Sequence, residues 1–140
     1  EGCGRPLLTL NALPTPGTPL QVKGLKILPI PMSHGSQECI AYRIGSVAYA
    51  TDCSYIPPKS LDQLKGLSVL VLDCLQLAPH RTHLNIEQAL EIVSQVKPRR
   101  TVFTHLSHDF DYAIWSKKLP KGVELGFDGM KIRFSAKENL

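Results

Sequence analysis

The stretch RTVFTHLSHD, residues 100–109, decides how the rest of the chain is interpreted. Its apolar and β-branched part, residues 101–104, predicts a buried strand. Two histidines, a serine and an aspartate follow without any spacer between the strand and the polar cluster. A sheet holds the side chains at a strand end rigidly, and this suits metal ligands or catalytic groups.

Three further polar clusters, which contain His34, Asp52 and His83, lie where predicted strands give way to loops. Taken singly, the two histidines are typical of surface loops, and the aspartate is typical of a turn or helix cap. His105 is harder to explain in this way, because burying an unpaired imidazole is costly. Together the four residues form a ligand set that suits zinc, manganese or iron. A serine nucleophile at Ser107 is a weaker hypothesis, since no GxSxG elbow surrounds it.

The order of predicted elements indicates an α/β fold with a mixed sheet and helices on one side. Two hairpins come first, and strands then alternate with helices. Asn85 and Gln88 predict a capping box at the start of an amphipathic helix that Pro98 closes. Further helices are predicted at 57–64 and at 109–119, the latter with Asp109 as its N-cap. The predicted strands are 7–13, 20–22, 25–31, 39–44, 47–51, 67–72, 101–104, 123–125 and 130–135, the last two as a hairpin.

Length and composition predict one globular structural unit. The chain has 140 residues, of which 43% are hydrophobic and 20% are charged. The net charge of +4 favours a phosphorylated substrate without indicating a nucleic-acid groove. No apolar run approaches the ~20 residues of a membrane span, and no signal peptide is visible. The four cysteines form no CxxC pair, which predicts reduced thiols in a cytoplasmic protein.

Five motifs, in this order along the chain, resemble those of metallo-β-lactamase-fold hydrolases. Within that superfamily they most resemble the cyclic phosphodiesterases of the phosphonate-degradation pathway, and more loosely the tRNA 3′-processing nucleases. The resemblance covers about residues 14–134. The motifs are Thr51-Asp52-Cys53, Asp73-Cys74 after its apolar strand, Arg81-Thr82-His83, Thr104-His105-Leu106-Ser107-His108 and Gly126-Phe127-Asp128-Gly129-Met130.

The resemblance implies a role for each matched residue. His34 matches a ligand of one metal ion, Asp52 matches the aspartate that bridges two, and His105 matches a ligand of the second. His83 matches a histidine that serves as general acid or stabilises the transition state. His108 matches a ligand of a separate structural zinc, whose other ligands in the family are cysteines in an N-terminal motif.

One family motif has no counterpart in this sequence. The HxHxDH motif, which supplies most ligands of both metals, is absent, and we expect it upstream of Glu1. Residues 1–140 therefore resemble the C-terminal half of an αββα domain. The chain would be a fragment, a cleaved product or one piece of an assembly, and its expected partner is the N-terminal half or a complementary chain. Apolar strand faces such as residues 67–72 would then be poorly covered, and a homo-oligomer is possible.

The function that the resemblance implies is hydrolysis of small phosphodiesters, including cyclic ones. Two divalent metal ions, zinc or manganese, would activate a hydroxide for attack on phosphorus. Neither a membrane nor a nucleic acid is an expected partner, and the 140 residues alone are expected to be inactive. Two alternatives stay open: another hydrolase of the superfamily, acting on RNA ends, esters or thioesters, or a non-catalytic half-domain.

Overall fold

Seven strands form one mixed sheet in which the strands lie side by side in chain order. The computed structural model describes residues 9–15 and 17–134. The first four strands pair antiparallel, and the pairs from the fourth strand to the seventh are parallel. The strands are β1 (Leu20–Val22), β2 (Leu25–His34), β3 (Gln37–Ile44), β4 (Val47–Ala50), β5 (Val69–Asp73), β6 (Arg100–Thr104) and β7 (Val123–Leu125).

Three helices, α1 (Pro58–Gln63), α2 (Ile86–Val96) and α3 (Tyr112–Lys118), pack against a single hydrophobic core. Residues that pair across neighbouring strands point to the same side of a sheet. The register places Leu72 opposite Phe103, and Phe103 opposite Leu125, and all three side chains are fully buried on the helix side. The predicted α/β fold, a mixed sheet with helices on one side, is therefore confirmed. No helix in the described part of the chain has the length and apolar character that crossing a bilayer requires.

The predicted capping box begins α2. The Asn85 side chain accepts a hydrogen bond from the Gln88 backbone N–H, and the Gln88 side chain accepts one from the Asn85 N–H, both at 3.0 Å. Two backbone donors that the helix itself cannot satisfy are thereby paired. The cap fixes where the preceding loop must end, and that loop contains His83.

The prediction of Asp109 as a helix cap is wrong. Asp111 caps α3, with its side chain accepting from the Ile114 N–H at 2.9 Å. The chain first needs a turn after β6, which the Phe110 N–H closes by donating to the Ser107 carbonyl at 3.4 Å. This turn moves the N-cap by two residues, from 109 to 111.

Two of the predicted strands, residues 130–135 and 7–13, are not strands where the structure describes them. β7 is parallel to β6, and residues 130–134 pair with no strand in the described ranges, so the predicted final hairpin is wrong. A turn is present, because the Met130 N–H donates to the Phe127 carbonyl at 3.0 Å, but the chain then leaves the sheet. Residues 9–13 are not a strand either, while residues 7 and 8 lie outside the part that the structure describes.

The sheet face opposite the helices is partly open. Tyr42 and Tyr49 pair across β3 and β4 on this face, both exposed, and Tyr49 lies opposite Val71. Residues 67–72 are covered by the helices on one face, where Leu70 and Leu72 are fully buried, while Val71 is half-buried on the other face, opposite Tyr49. The uncovered apolar surface of the sheet is therefore the face that carries the two tyrosines.

Candidate metal centre

Four strands end at the same edge of the sheet and deliver polar side chains there. β2, β4, β5 and β6 run in one direction, because β3 is antiparallel to both of its neighbours. His34 and Asp73 are the last residues of β2 and β5, while Asp52 and His105 follow β4 and β6. In open α/β sheets, ligands bind in the crevice outside the carboxyl ends of the strands. His83 reaches the same place from the loop before α2.

Potential ligand atoms of four of these residues, Asp52, Asp73, His83 and His105, all lie within 4.8 Å of one another. The His105 ring stacks on the His83 ring with centroids 4.7 Å apart, and its Nε2 lies 3.4 Å from Asp52 Oδ1. His34 adjoins the group through His83, with Nε2 3.2 Å from His83 Nε2. The structure thus brings together His34, Asp52, His83 and His105, which are far apart in the sequence.

Asp73 is the fully buried residue on which this arrangement depends. Its Oδ1 accepts from the Asp52 backbone N–H at 3.1 Å, and its Oδ2 accepts from the Leu84 N–H at 2.9 Å. His83 Nδ1 also lies 3.1 Å from Oδ1. Because an ionised carboxylate can only accept, His83 Nδ1 is the donor and its Nε2 faces the centre. Both carboxylate oxygens are occupied by protein donors, so Asp73 positions the other residues.

Asp73 is not among the site residues predicted from the sequence. The Asp73-Cys74 motif contributes to the family resemblance, but no role for the carboxylate was inferred from it. The available signal was its position directly after an almost wholly apolar strand, the same signal that identified His105. Burying a carboxylate is costly unless it is well paired, so an aspartate at such a position predicts a built polar site.

The backbone is left-handed at two of the clustered residues. Asp52 has φ 54° and His105 has φ 64°. Aspartate and histidine are among the side chains that tolerate this region best, but such a conformation still costs ~1–3 kcal/mol. At these points the chain leaves its strand and turns, which leaves the side chain over the sheet edge. Conformational strain of this kind is concentrated at functional sites.

Gly35 allows the His34 and His83 segments to meet. A Cβ atom at this position would lie 2.9 Å from Thr82 Cγ2, and its φ of +62° also disfavours a side chain. The Gly35 N–H donates to Ser54 Oγ at 2.9 Å, which fixes the turn between β2 and β3. In this arrangement the two imidazoles meet edge-to-face, with ring centroids 4.7 Å apart.

The donor set fits a divalent metal ion. Carboxylate and imidazole together suit zinc, manganese and iron. Asp52 and His105 are open to solvent, so their donor atoms are accessible. The pairing of Asp73 with His83 is also how proteins orient an imidazole beside a metal, through a carboxylate on its second nitrogen.

His108 lies apart from this cluster. Its side chain is 97% exposed, and its carboxylate contact is with Asp109, at 3.6 Å between Nε2 and Oδ1. Cys3, the only cysteine near the start of the sequence, lies outside the described residues. A structural zinc at His108 therefore stays a prediction.

We expect the two histidines of residues 100–109 to differ when each is replaced by alanine. In an enzyme that contains both halves of the fold, His105→Ala should lower the metal content, because it removes a donor beside Asp52. His108→Ala should leave the active-site metal in place, since its ring is in solvent. Elemental analysis of the two purified variants checks this expectation. Equal loss of active-site metal would mean that the pair is wrongly assigned.

The cysteines near the centre are unsuited to nucleophilic chemistry. Cys53 and Cys74 are fully buried, and burial raises the pKa of Cys74 to about 12, with a smaller contribution from Asp73. Burial also raises the pKa of Cys39 and of Cys53. The thiolate is the reactive form of cysteine, and the raised pKa values of these three side chains disfavour it.

Comparison with known proteins shows three kinds of similarity. The beta-lactamase superfamily domain matches residues 6–106. A solved structure of a new diphosphatase from the PhnP family is 39% identical with a TM-score of 0.83, over 85% of this chain and 47% of that chain. The metallo-beta-lactamase fold protein YhfI from Bacillus subtilis is 21% identical with a TM-score of 0.69, over 83% of this chain and 52% of that chain.

A curated octanoyltransferase from Porphyromonas gingivalis (strain ATCC BAA-308 / W83) is 32% identical over 130 residues. Those residues are 91% of this chain and 26% of that protein. The chain thus spans about half the length of the two solved structures and about a quarter of the curated relative.

Proposed function

Because the chain belongs to the beta-lactamase superfamily, with the domain matching residues 6–106, we propose that it is the C-terminal half of a metal-dependent phosphodiesterase. The observation that carries this proposal is the cluster at the sheet edge. It combines accessible donors on Asp52 and His105 with a histidine that a buried carboxylate orients. The closely similar diphosphatase supports phosphorus chemistry, since its name describes cleavage of a phosphate bond.

We assign His34, Asp52 and His105 to two divalent metal ions, zinc or manganese. Asp52 Oδ1 lies 3.4 Å from His105 Nε2 and 3.9 Å from His83 Nδ1, and we assign it the bridging role that the family resemblance implies. When bound, such ions supply an activated water and neutralise the phosphate charge. The remaining ligands would come from the HxHxDH motif of the other half.

His83 is proposed as the general acid. Asp73 accepts from its Nδ1 and holds the ring in one orientation, so that Nε2 points into the centre. A proton on Nε2 can then pass to the oxygen of the departing alcohol as its bond to phosphorus breaks. Positioned proton transfer of this type contributes ~10²–10⁴-fold to a reaction rate.

The proposed partner is the N-terminal half of the domain, on the same polypeptide or on a complementary chain. The open sheet face with Tyr42 and Tyr49 offers an apolar surface for it, as sheet-on-sheet packing requires. The roughly half-length match to two solved structures supports the same proposal. The proposal includes association of two copies of this chain through the same face.

The proposed substrate is a small phosphodiester, and cyclic phosphodiesters are included in this class. The basic residues are scattered, and the described residues form no basic arm of the kind that would bind tRNA. Acyl transfer through a cysteine, a second chemistry suggested by the octanoyltransferase match, is not favoured. Burial raises the pKa of the Cys39, Cys53 and Cys74 thiols, which favours their protonated, unreactive form.

Metal removal tests the proposal. The complete enzyme, with both halves, should lose hydrolysis of bis(4-nitrophenyl) phosphate after treatment with a chelator. Addition of manganese or zinc should restore it, because the proposed metals activate the water. Release of 4-nitrophenolate is the measurement, with a 4-nitrophenyl carboxylic ester as the comparison substrate. Unchanged turnover in chelator, or faster metal-dependent cleavage of the carboxylic ester, would contradict the proposed function.

A further inference from the structure

Positive charge is concentrated at the edge of the sheet that lies opposite the metal centre. The parallel strands β5, β6 and β7 all begin at this edge. The helices α2 and α3 end there, because each returns the chain from the end of one parallel strand to the start of the next. Five exposed cations lie in these helix ends and in the loops that follow them, and we call them the basic edge: Lys97, Arg99, Lys117, Lys118 and Lys121.

Backbone contacts hold the loops of the basic edge side by side. The Arg99 N–H donates to the Leu67 carbonyl at 3.1 Å, and the Thr101 N–H donates to the Gly122 carbonyl at 2.7 Å. A Cβ atom on Gly122 would lie 3.2 Å from the Arg99 carbonyl oxygen, so the loops that carry Arg99 and Lys121 are in direct contact. Cations from separate parts of the sequence are thus held on one surface.

None of these five cations forms an ion pair with a carboxylate of residues 9–15 or 17–134. Two carboxylates lie close to the basic edge in the sequence, and both are already paired. Asp62 contacts Lys65 at 2.6 Å, and Glu124 contacts Arg100. The positive charge of the basic edge is therefore not compensated by the described part of the chain, and it gives this surface a field that attracts anions.

Stabilisation of helix ends explains only part of this charge. Lys117 and Lys118 lie in the last turn of α3, and Lys97 is the C-cap of α2, where the helix macrodipole favours a cation. Arg99 and Lys121 lie in loops beyond the helices, and the dipole effect falls off within the last turn. Their placement beside three other cations adds repulsion, which a bound anion would relieve.

We propose that the basic edge binds an acidic, extended segment of a partner protein. Carboxylates of such a segment would pair with the exposed cations, and this complementarity guides association and selects the partner. A cleft of about 370 Å³, lined by Lys65, Lys97 and Leu61 among others, adjoins the basic edge and suits an apolar side chain of the same segment. The metal centre is one strand length away, roughly 16 Å for five residues, so the partner leaves it free.

A nucleic acid fits this surface less well than an acidic polypeptide. Proteins that bind single strands stack the bases on exposed aromatic side chains. Trp115 is the aromatic residue of α3 closest to its basic last turn, and its ring is half-buried and packs edge-to-face on Phe110, with centroids 5.6 Å apart. Lys118 covers the same ring at 4.9 Å. The ring is therefore not available for a base, whereas the cations remain available for carboxylates.

Fluorescence anisotropy on the complete protein tests the proposal, at an ionic strength of about 0.15 M. The probes are labelled decaglutamate, decaglutamine and decathymidylate, which separate an acidic peptide from a neutral one and from a nucleic acid. Decaglutamate should bind, and decaglutamine should not. Arg99→Glu combined with Lys121→Glu should weaken decaglutamate by about 10-fold, because charge reversal removes two attractions and introduces two repulsions.

The matched control is Lys26→Glu combined with Lys59→Glu, which changes the net charge by the same amount. Both lysines are exposed, but Lys26 is on β2, two strands away from β5, and Lys59 is in the first turn of α1. This variant should bind decaglutamate within about twofold of the unchanged protein, since salt screens distant exposed charges. Arg99→Lys combined with Lys121→Arg should also retain binding. Metal-dependent turnover of bis(4-nitrophenyl) phosphate should be the same in all of these variants.

Three results would overturn the inference. Equal weakening by the two charge-reversed variants would mean that net charge alone attracts the peptide. Tighter binding of decathymidylate than of decaglutamate would assign the basic edge to a nucleic acid, and no binding of decaglutamate would leave it without the proposed partner. Arg99→Gln combined with Lys121→Gln repeats the test without introducing new charges, in case charge reversal lowers the Tm. It should weaken decaglutamate by about threefold, and unchanged affinity would equally refute the proposal.

Discussion

Residues 1–140, expressed alone, should bind manganese or zinc weakly and show no phosphodiester turnover above background. Asp73 has both oxygens occupied by protein donors, and His83 uses one nitrogen for that pairing. His34, Asp52 and His105 remain as the assigned donors for two ions, whereas a single catalytic zinc takes about three protein ligands. Loss of even an outer partner costs ~10–100-fold in metal affinity, so loss of direct ligands should weaken binding further.

The measurement is calorimetric titration of metal, followed by an assay on bis(4-nitrophenyl) phosphate, with and without the complementary half supplied. Addition of that half should restore both properties and should raise the sedimentation coefficient, as the Tyr42 and Tyr49 face becomes covered. A version of that half in which HxHxDH is changed to alanines is the control, since it should associate without restoring turnover. Robust metal-dependent turnover by a verified 140-residue species would refute the half-site proposal.

His83→Ala in the complete enzyme should lower turnover by ~10²–10⁴-fold, the usual contribution of a positioned general acid. Metal content should stay close to that of the unchanged enzyme, because His34, Asp52 and His105 retain their donors. Kinetic assay and elemental analysis of one preparation give both quantities. The loss should be smaller for an ester of 4-nitrophenol than for an alkyl ester, since a better leaving group needs less protonation.

His80→Ala is the matched control for this variant. His80 is exposed in the same loop, and its ring centroid lies 5.3 Å from that of His83. Its Nδ1 contacts the Thr82 backbone N–H at 3.4 Å, so it has a local role only. We expect a change of less than about tenfold. Loss of metal from His83→Ala would instead identify His83 as a ligand.

Much of the fold follows from local patterns in the sequence. The alternating and apolar runs identify β1 to β6, and the residues Asn85 and Gln88 identify the start of α2 because capping is a local interaction. Residues 130–134 have the same alternating pattern but are not a strand. A strand needs a partner to pair with, and residues 130–134 have none in the described part of the chain. Pattern alone cannot supply that information.

The candidate site could be predicted in part. His34, Asp52, His83 and His105 were identifiable because each lies where a strand ends or in the loop that follows one, and the structure brings them together. The function of Asp73 could not be inferred in this way. Its role depends on donors from Asp52, His83 and Leu84, and their convergence is a property of the folded chain. The roles of His34, Asp52 and His105 in metal binding stay predictions. So does the role of His83 in proton transfer.

The left-handed backbone at Asp52 and His105 has a consequence for how this protein would respond to selection. Glycine relieves such a conformation, so a population screened for thermal resistance alone would tend to accumulate glycine at these two positions. Each such change would remove an assigned metal donor from the sheet edge while making the scaffold more robust. Laboratory evolution of this domain therefore needs to select for catalysis and thermal resistance together. At these two residues, a change that improves one is expected to impair the other.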